Sequence, residues 1–191
     1  MTGRGRSGVE FDEVVRTRRT IRRFSAEDVP DDLLKSLIDC ALRAPSSMDG
    51  QPWRFIVVRN AETKRRLART KDKHCPPEKR EYPAGFLREA PVIVVTCVER
   101  AKAYDRGIES GVLATGHLLL AAANRGLTGV YMSAYKTGAP ELADEIRTIL
   151  GVPPDVDPIT ILPIGYPGDV AGPKAVKNAD EVVFREAFGR K

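Results

Sequence analysis

Two short stretches hold the residue types from which a binding or redox site could be built. The first is Arg18-Arg19-Thr20-Ile21-Arg22-Arg23-Phe24, a run of guanidinium groups around one hydroxyl. Guanidinium forks hold phosphate or carboxylate oxygens in pairs, and the Thr20 hydroxyl adds another donor. A fixed cation also stabilises negative charge developing on a bound group. The same run could be a solvated helix end. The second stretch is Ala44-Pro45-Ser46-Ser47-Met48-Asp49-Gly50-Gln51-Pro52-Trp53-Arg54-Phe55. Its prolines, glycine and paired serines make a connector that cannot be helical. Such a connector offers hydroxyls and backbone N–H groups at a sheet edge, although an ordinary polar turn has the same composition.

Elsewhere the sequence is poor in acids, bases and nucleophiles at catalytic spacing. It has no G-x-S-x-G elbow, no phosphate-binding P-loop, no H-x-x-x-H, and no G-x-G-x-x-G after a strand. The two histidines, His74 and His117, have no obvious partner in sequence. His117 lies in an apolar run and reads as a core or interface side chain. Cys40, Cys75 and Cys97 are odd in number and lack C-x-x-C spacing, which argues against a disulfide framework and against a zinc or iron–sulfur site. Cys40 and Cys97 fit apolar patterns, and Cys75 reads as exposed. Such scarcity suits a protein that holds and tunes a bound cofactor, which itself supplies the reactive atom. The net charge of +5 suits anionic ligands, phosphates included. The basic residues are spread along the chain rather than gathered as a nucleic-acid footprint requires.

Helices and strands must position these stretches. Glu10 to Arg18 has Phe11, Val14 and Val15 at helical spacing. A second helix is expected from Pro30, with Asp31 and Asp32 favouring its N-terminus and a stripe of Leu33, Leu34, Leu37, Ile38, Ala41 and Leu42. Phe55 to Val58 reads as a buried strand, Ala61 to Lys71 as a basic helix, and Asp72 to Pro83 as a loop of the kind that forms a lid. The apolar run Pro91 to Val98 reads as a central strand covered on both faces. Tyr104 to Arg125 is the longest helix and is apolar almost all round, so it must be buried in a core or at a subunit interface. Thr128 to Ser133 and Ile159 to Gly165 read as strands, Pro140 to Leu150 as a helix, and Val182-Val183-Phe184 as a final strand. Residues 1–8 read as a flexible extension and 9–191 as one domain of α/β class in three layers, with 191 residues enough for one core or a dimerising subunit. No apolar run spans a bilayer and the N-terminus lacks a signal pattern, so a cytoplasmic location is expected.

The motif P-S-S-x-x-x-Q-P-W before a hydrophobic strand resembles the hallmark loop of the FMN-dependent nitroreductase family. The upstream block Arg18 to Phe24 resembles that family's other signature, in the same order and at its usual separation. The resemblance implies a three-layer sandwich with a central mixed sheet, an intertwined homodimer, and one FMN per subunit at the interface. It assigns Arg18, Arg19 and Thr20 to the FMN phosphate and pyrimidine edge, and Arg22 to the N1–O2 side, where it tunes the reduced flavin. Pro45, Ser46 and Ser47 would reach FMN from the other subunit, and Asp49 would stand where an amide is common. The backbone of Met132 and Ser133 would face the N5–O4 edge, with Gly165 in the turn near the isoalloxazine. Lys174 and Lys177 would lie near the phosphate. The implied activity is hydride transfer from NADH or NADPH, through flavin N5, to an electrophilic acceptor such as a nitroaromatic, quinone or enone. No side chain need be catalytic in its own right, and neither a metal nor a nucleic-acid or membrane partner is expected. A flavin-binding or flavin-handling protein without NAD(P)H turnover would use the same contacts.

Overall fold

The computed structural model describes residues 10–76 and 83–190. The expected N-terminal extension and half of the expected lid, residues 77–82, lie outside the described residues, and Asp72 and Lys73 belong to the helix before it. Helix α1 (Phe11–Thr17) buries only Val14. In α2 (Asp31–Ala41) Pro30 is the cap rather than the first helical residue, and Leu34, Leu37 and Ala41 form the buried stripe. Strand β1 (Trp53–Val58) is followed by α3 (Ala61–Lys73), started by the Asn60 side chain accepting from the Thr63 N–H. A single turn, α4 (Phe86–Glu89), precedes β2 (Val92–Glu99). Then come α5 (Gly107–Asn124), β3 (Thr128–Gly129), β4 (Met132–Ser133), α6 (Glu141–Leu150) and β5 (Val156–Gly165).

The tail differs from expectation. It forms a short helix, α7 (Ala179–Val182), instead of a strand over Val182 to Phe184. The Asn178 side chain accepts from the Asp180 N–H, and Asp180 and Glu181 occupy the first turn. These cap and charge signals outweigh the β-branched pair that suggested a strand.

The strand order is β1-β2-β5-β3, with β4 also on β5. Three layers are present as expected. Within the described residues every ladder is antiparallel, so the sheet of this chain is not mixed. β2 is buried from Val92 to Val98, because helices cover both faces. Val92, Val94, Leu162 and Ile164 pack with Leu34, Leu37 and Leu118 of α2 and α5. Ile93, Val95, Cys97 and Ile161 pack with Leu67, Leu87, Leu142 and Ile146 of α3, α4 and α6. Burial pushes the Cys97 thiol up to about 12, which leaves it a core residue. No helix among the described residues is long and apolar enough to cross a membrane.

Two prolines shape β5. β3 and β4 share one register along it, Gly129 opposite Ile164 and Met132 opposite Ile161, so they are one edge strand with a gap. The gap lies at Val130 and Tyr131, where the Val130 N–H donates to the Pro163 carbonyl (3.3 Å). Pro163 has no N–H to return, and the ladder breaks there. The pairing with β2 slips by one residue between Thr96 and Cys97, beside Pro158.

Polar contacts fix how the helices sit on the sheet. The Thr115 hydroxyl of α5 lies 2.9 Å from Thr96 Oγ1 and 2.7 Å from Thr160 Oγ1, all three side chains being buried. Thr115→Val should cost about 1–3 kcal/mol, since two buried hydroxyls lose their partner; a urea midpoint equal to wild type would contradict this. On the other face, the Lys73 ammonium and the His74 ring (3.0 Å) join α3 to Glu145 of α6. Lys73 first, then His74, holds the Glu145 carboxyl down to about 2, from 4.5. This contribution to stability is complete above about pH 4.5 and disappears as the pH falls through about 2. The stability gap between wild type and Glu145→Gln should therefore narrow across that window in pH-dependent thermal melts.

Candidate functional site

The cationic stretch is stitched to the end of β5. The Ser25 N–H donates to the Tyr166 carbonyl (3.0 Å), and the Gly168 N–H to the Arg23 carbonyl (2.9 Å). The Thr128 hydroxyl donates to the Arg19 carbonyl (3.4 Å), tying the run to β3. Gly165 closes this seam, because a Cβ there would stand 2.7 Å from Pro91 Cδ and 2.9 Å from Phe24 Cδ1. Arg19 donates to the carbonyls of Arg16 (2.6 Å), Arg18 (2.9 Å) and Gly172 (3.3 Å). None of these is a carboxylate, so its positive charge is not neutralised by its partners. The Arg18 guanidinium makes no hydrogen bond or ion pair among the described residues. Arg18 and Arg19 line a cavity of about 340 Å³ with Thr17, Ile21 and Thr128, while Thr20 is exposed beside it. The Arg22 guanidinium lies 6.0 Å from the centre of the Phe86 ring.

The serine loop is held by its own hydrogen bonds. Ser46 Oγ accepts from the Gln51 N–H (3.0 Å), and the Ser47 carbonyl accepts from the Gly50 N–H (2.9 Å). The Gln51 amide donates to Asp49 Oδ1 (3.0 Å). Asp49 is thus partnered by an amide, and among the described residues no arginine pairs with it. Met48, Asp49 and Gln51 all have positive φ (50°, 51° and 43°), which is costly for non-glycine residues and marks a constrained loop. A Cβ on Gly50 would overlap the Lys102 carbonyl, so the loop is pressed against the turn after β2. Trp53 is 4% exposed and packs with Ala44 and Ala114, whereas Met48 at the loop tip is 79% exposed.

These two groups occupy opposite ends of the sheet. Val92 of β2 pairs with Ile164 beside Gly165, and at the other end the Glu99 N–H donates to the Pro52 carbonyl (2.8 Å). At roughly 3.3 Å per residue the intervening strand is about 23 Å long. One subunit therefore gathers Arg18, Arg19, Thr20, Arg22 and Gly165, and holds Pro45, Ser46, Ser47 and Asp49 apart from them. Met132 and Ser133 lie between, opposite Ile161 and Thr160. The Ser133 carbonyl accepts from Lys71 Nζ (2.7 Å), and its hydroxyl donates to the Tyr135 carbonyl (2.8 Å). Lys71 was not singled out from the sequence, because one lysine in a basic helix carries no local signal. Lys174 follows two residues after Gly172, whose carbonyl Arg19 holds, and both Lys174 and Lys177 are exposed.

The long helix α5 buries one face and leaves another open. Ile108 and Leu113 are 45% and 44% exposed, and a Cβ on Gly116 would meet nothing within 4 Å. Phe11 of α1, Leu42 after α2 and Met48 are exposed as well. His117 lines a cavity of about 420 Å³ with Phe11, Cys40 and Asn124. Asn124 Oδ1 is buried without a partner among the described residues. One face of this helix is thus buried in the core, and the rest of its apolar surface stays uncovered within one chain.

Residues 15–166 match the Nitroreductase family. Iodotyrosine deiodinase of Thermotoga neapolitana is 33% identical over 189 residues, covering 91% of this chain and 95% of that protein. NADH dehydrogenase of Thermus thermophilus is 28% identical over 197 residues, covering 87% and 91%. The structure of an FMN-dependent nitroreductase from Clostridium difficile superposes with a TM-score of 0.78 at 26% identity, covering 92% and 98%. With the matched residues spanning both the cationic run and the serine loop, the chain belongs to the nitroreductase family.

Proposed function

We propose that this protein is a homodimeric FMN-dependent oxidoreductase that takes electrons from NADH or NADPH and delivers them to an electrophilic small molecule. The observation that carries this reading is the separation of the two signature stretches to opposite ends of one subunit. A two-fold copy can bring the serine loop of one chain to the cationic run of the other. The open face of α5, with Ile108, Leu113 and Gly116, supplies an apolar surface for that copy.

The donor set fits FMN. Arg18 and Arg19 present guanidinium groups not neutralised by a carboxylate at a cavity, as a phosphate dianion requires, and Thr20 stands next to them. Lys174 and Lys177 would add positive charge where the tail leaves Arg19. Arg22 would supply the fixed cation that stabilises charge on the pyrimidine side. The Gly165 seam and the Met132–Ser133 edge would form the wall along the ring, with Lys71 holding the Ser133 carbonyl in place. Ser46, Ser47 and Asp49 would contribute from the second subunit. Bound FMN supplies two-electron chemistry, with hydride entering from NADH or NADPH and leaving to an acceptor such as a nitroaromatic, quinone or enone. The protein's task is to bind, orient and shield, which accords with the scarcity of paired acids and bases. The likeness to the Thermotoga deiodinase supports a broad view of the acceptor, with aryl halides included.

Purified protein should show flavin absorption near one per subunit, bleached anaerobically by NADH or NADPH. Bands that neither donor bleaches would favour the flavin-handling alternative, and protein that stays colourless with added FMN would overturn the reading. Arg18→Ala should lower flavin occupancy while leaving the circular dichroism spectrum unchanged. Mixed dimers of Arg18→Ala with a Ser46→Ala/Ser47→Ala chain test the sharing directly. If each site draws on both subunits, the hybrid regains one intact site of two, and flavin occupancy rises above that of either parent. No rise would place both stretches in separate roles.

A further inference from the structure

A cleft of about 410 Å³ lies between α3 and α6, apart from the cationic run and the serine loop. Arg66, Arg69 and Thr70 share one face of α3, being three and four residues apart. α6 faces them with Asp144, Glu145 and Ile149. The carboxylates here are already matched by other cations. Asp144 pairs with Arg147 (2.6 Å), and Glu145 is held by Lys73 and by His74 (3.0 Å). Neither Arg66 nor Arg69 makes a hydrogen bond or ion pair among the described residues. The cleft therefore carries two guanidinium forks one turn apart, neither hydrogen-bonded to a carboxylate, with Glu62 of the same helix acting on both only at longer range. Both hydroxyls in the cleft are spent on the protein, Thr70 on Glu145 (3.4 Å) and Thr148 on the Asp144 carbonyl (2.9 Å). The arginines are thus the donors left for a ligand, and Ile149 offers it an apolar wall.

We propose that this cleft binds a phosphate monoester carried on a larger molecule, gripped by Arg66 and Arg69. Paired guanidinium forks match the oxygens of a terminal phosphate better than a single point charge does. Two sources share this chemistry, the 2′-phosphate of a nicotinamide nucleotide and a free phosphorylated metabolite. The first rests on the oxidoreductase reading and has a structural argument. Lys71, next to Thr70, reaches the Ser133 carbonyl at the proposed ring edge. Arg66 to Lys71 spans only about 7.5 Å of helix. A nucleotide donor could then keep its remote phosphate in the cleft with its nicotinamide at that edge.

Calorimetric titration of the purified flavin-loaded protein tests the proposal, with adenosine 2′,5′-bisphosphate, adenosine 5′-monophosphate and inorganic phosphate as probes. Repeating it with Arg66→Gln and Arg69→Gln chains assigns the binding. The expected result is binding of the bisphosphate about tenfold tighter than the monophosphate, lost by about tenfold in each variant and weakened by salt. In that case the variants also raise KM for NADPH while leaving kcat and the NADH reaction unchanged. Variant-sensitive binding of all three probes with no 2′ preference, and with NADPH kinetics unchanged, assigns the cleft to a free phosphorylated metabolite. Binding that neither variant alters, or none at all, overturns the site. A protein that binds the probes yet takes up no FMN would refute the oxidoreductase reading and leave the phosphate site standing.

Discussion

The pairing of β5 with β2 sets the geometry of everything around it. Both strands are covered by α2 and α5 on one side and by α3, α4 and α6 on the other, so they cannot slide without exposing Val92 to Val98 or Ile159 to Ile164 to water. A register slip would also send each buried side chain to the opposite face. The Thr96–Thr115–Thr160 cluster adds a polar constraint that apolar packing alone would not impose, because its hydroxyls are satisfied only in this one arrangement. With β5 held, Gly165 and the segment from Arg18 to Ser25 have one place to dock.

That same constraint keeps the two signature stretches apart. An antiparallel pair puts the start of β2 beside the end of β5, so the cationic run at Gly165 and the serine loop at Glu99 are separated by the length of a strand. No loop motion of ordinary size closes such a gap inside one subunit. The strain in the serine loop, with three non-glycine residues at positive φ, is understandable if its shape serves a ligand presented by another chain. The uncovered face of α5 belongs to the same picture, since it is surface that a second copy would remove from water.

The positions of helices and strands were largely readable because burial has a period. Leu34, Leu37 and Ala41 recur at helical spacing, and Val92 to Val98 is apolar except for Thr96, so each element announces which faces are covered. Where local signals competed, the sequence misled. Val182 and Val183 suggest a strand, and the Asn178 cap with two acids behind it starts a helix instead. Pro158 and Pro163 were visible as prolines, but the bulge and the split edge strand they cause depend on which residue sits opposite, and that is a property of the paired sheet. His74, which had no partner in sequence, meets Glu145 only because α3 lies on α6.

The amino-acid sequence by itself determined the identity of the chemical groups: guanidinium groups at Arg18, Arg19 and Arg22, a constrained hydroxyl loop at Ser46 and Ser47, and few acids or bases fit for catalysis. Composition and local spacing suffice for that, since capping, turn propensity and amphipathic period act over a few residues. Tertiary structure alone decided distance. It set the cationic run and the serine loop at opposite ends of the sheet, brought Lys71 to the Ser133 carbonyl, and gave Arg66 and Arg69 a cleft whose carboxylates were already matched. Those relations join residues far apart in the chain, and they follow from sheet order and helix packing, which no local stretch encodes.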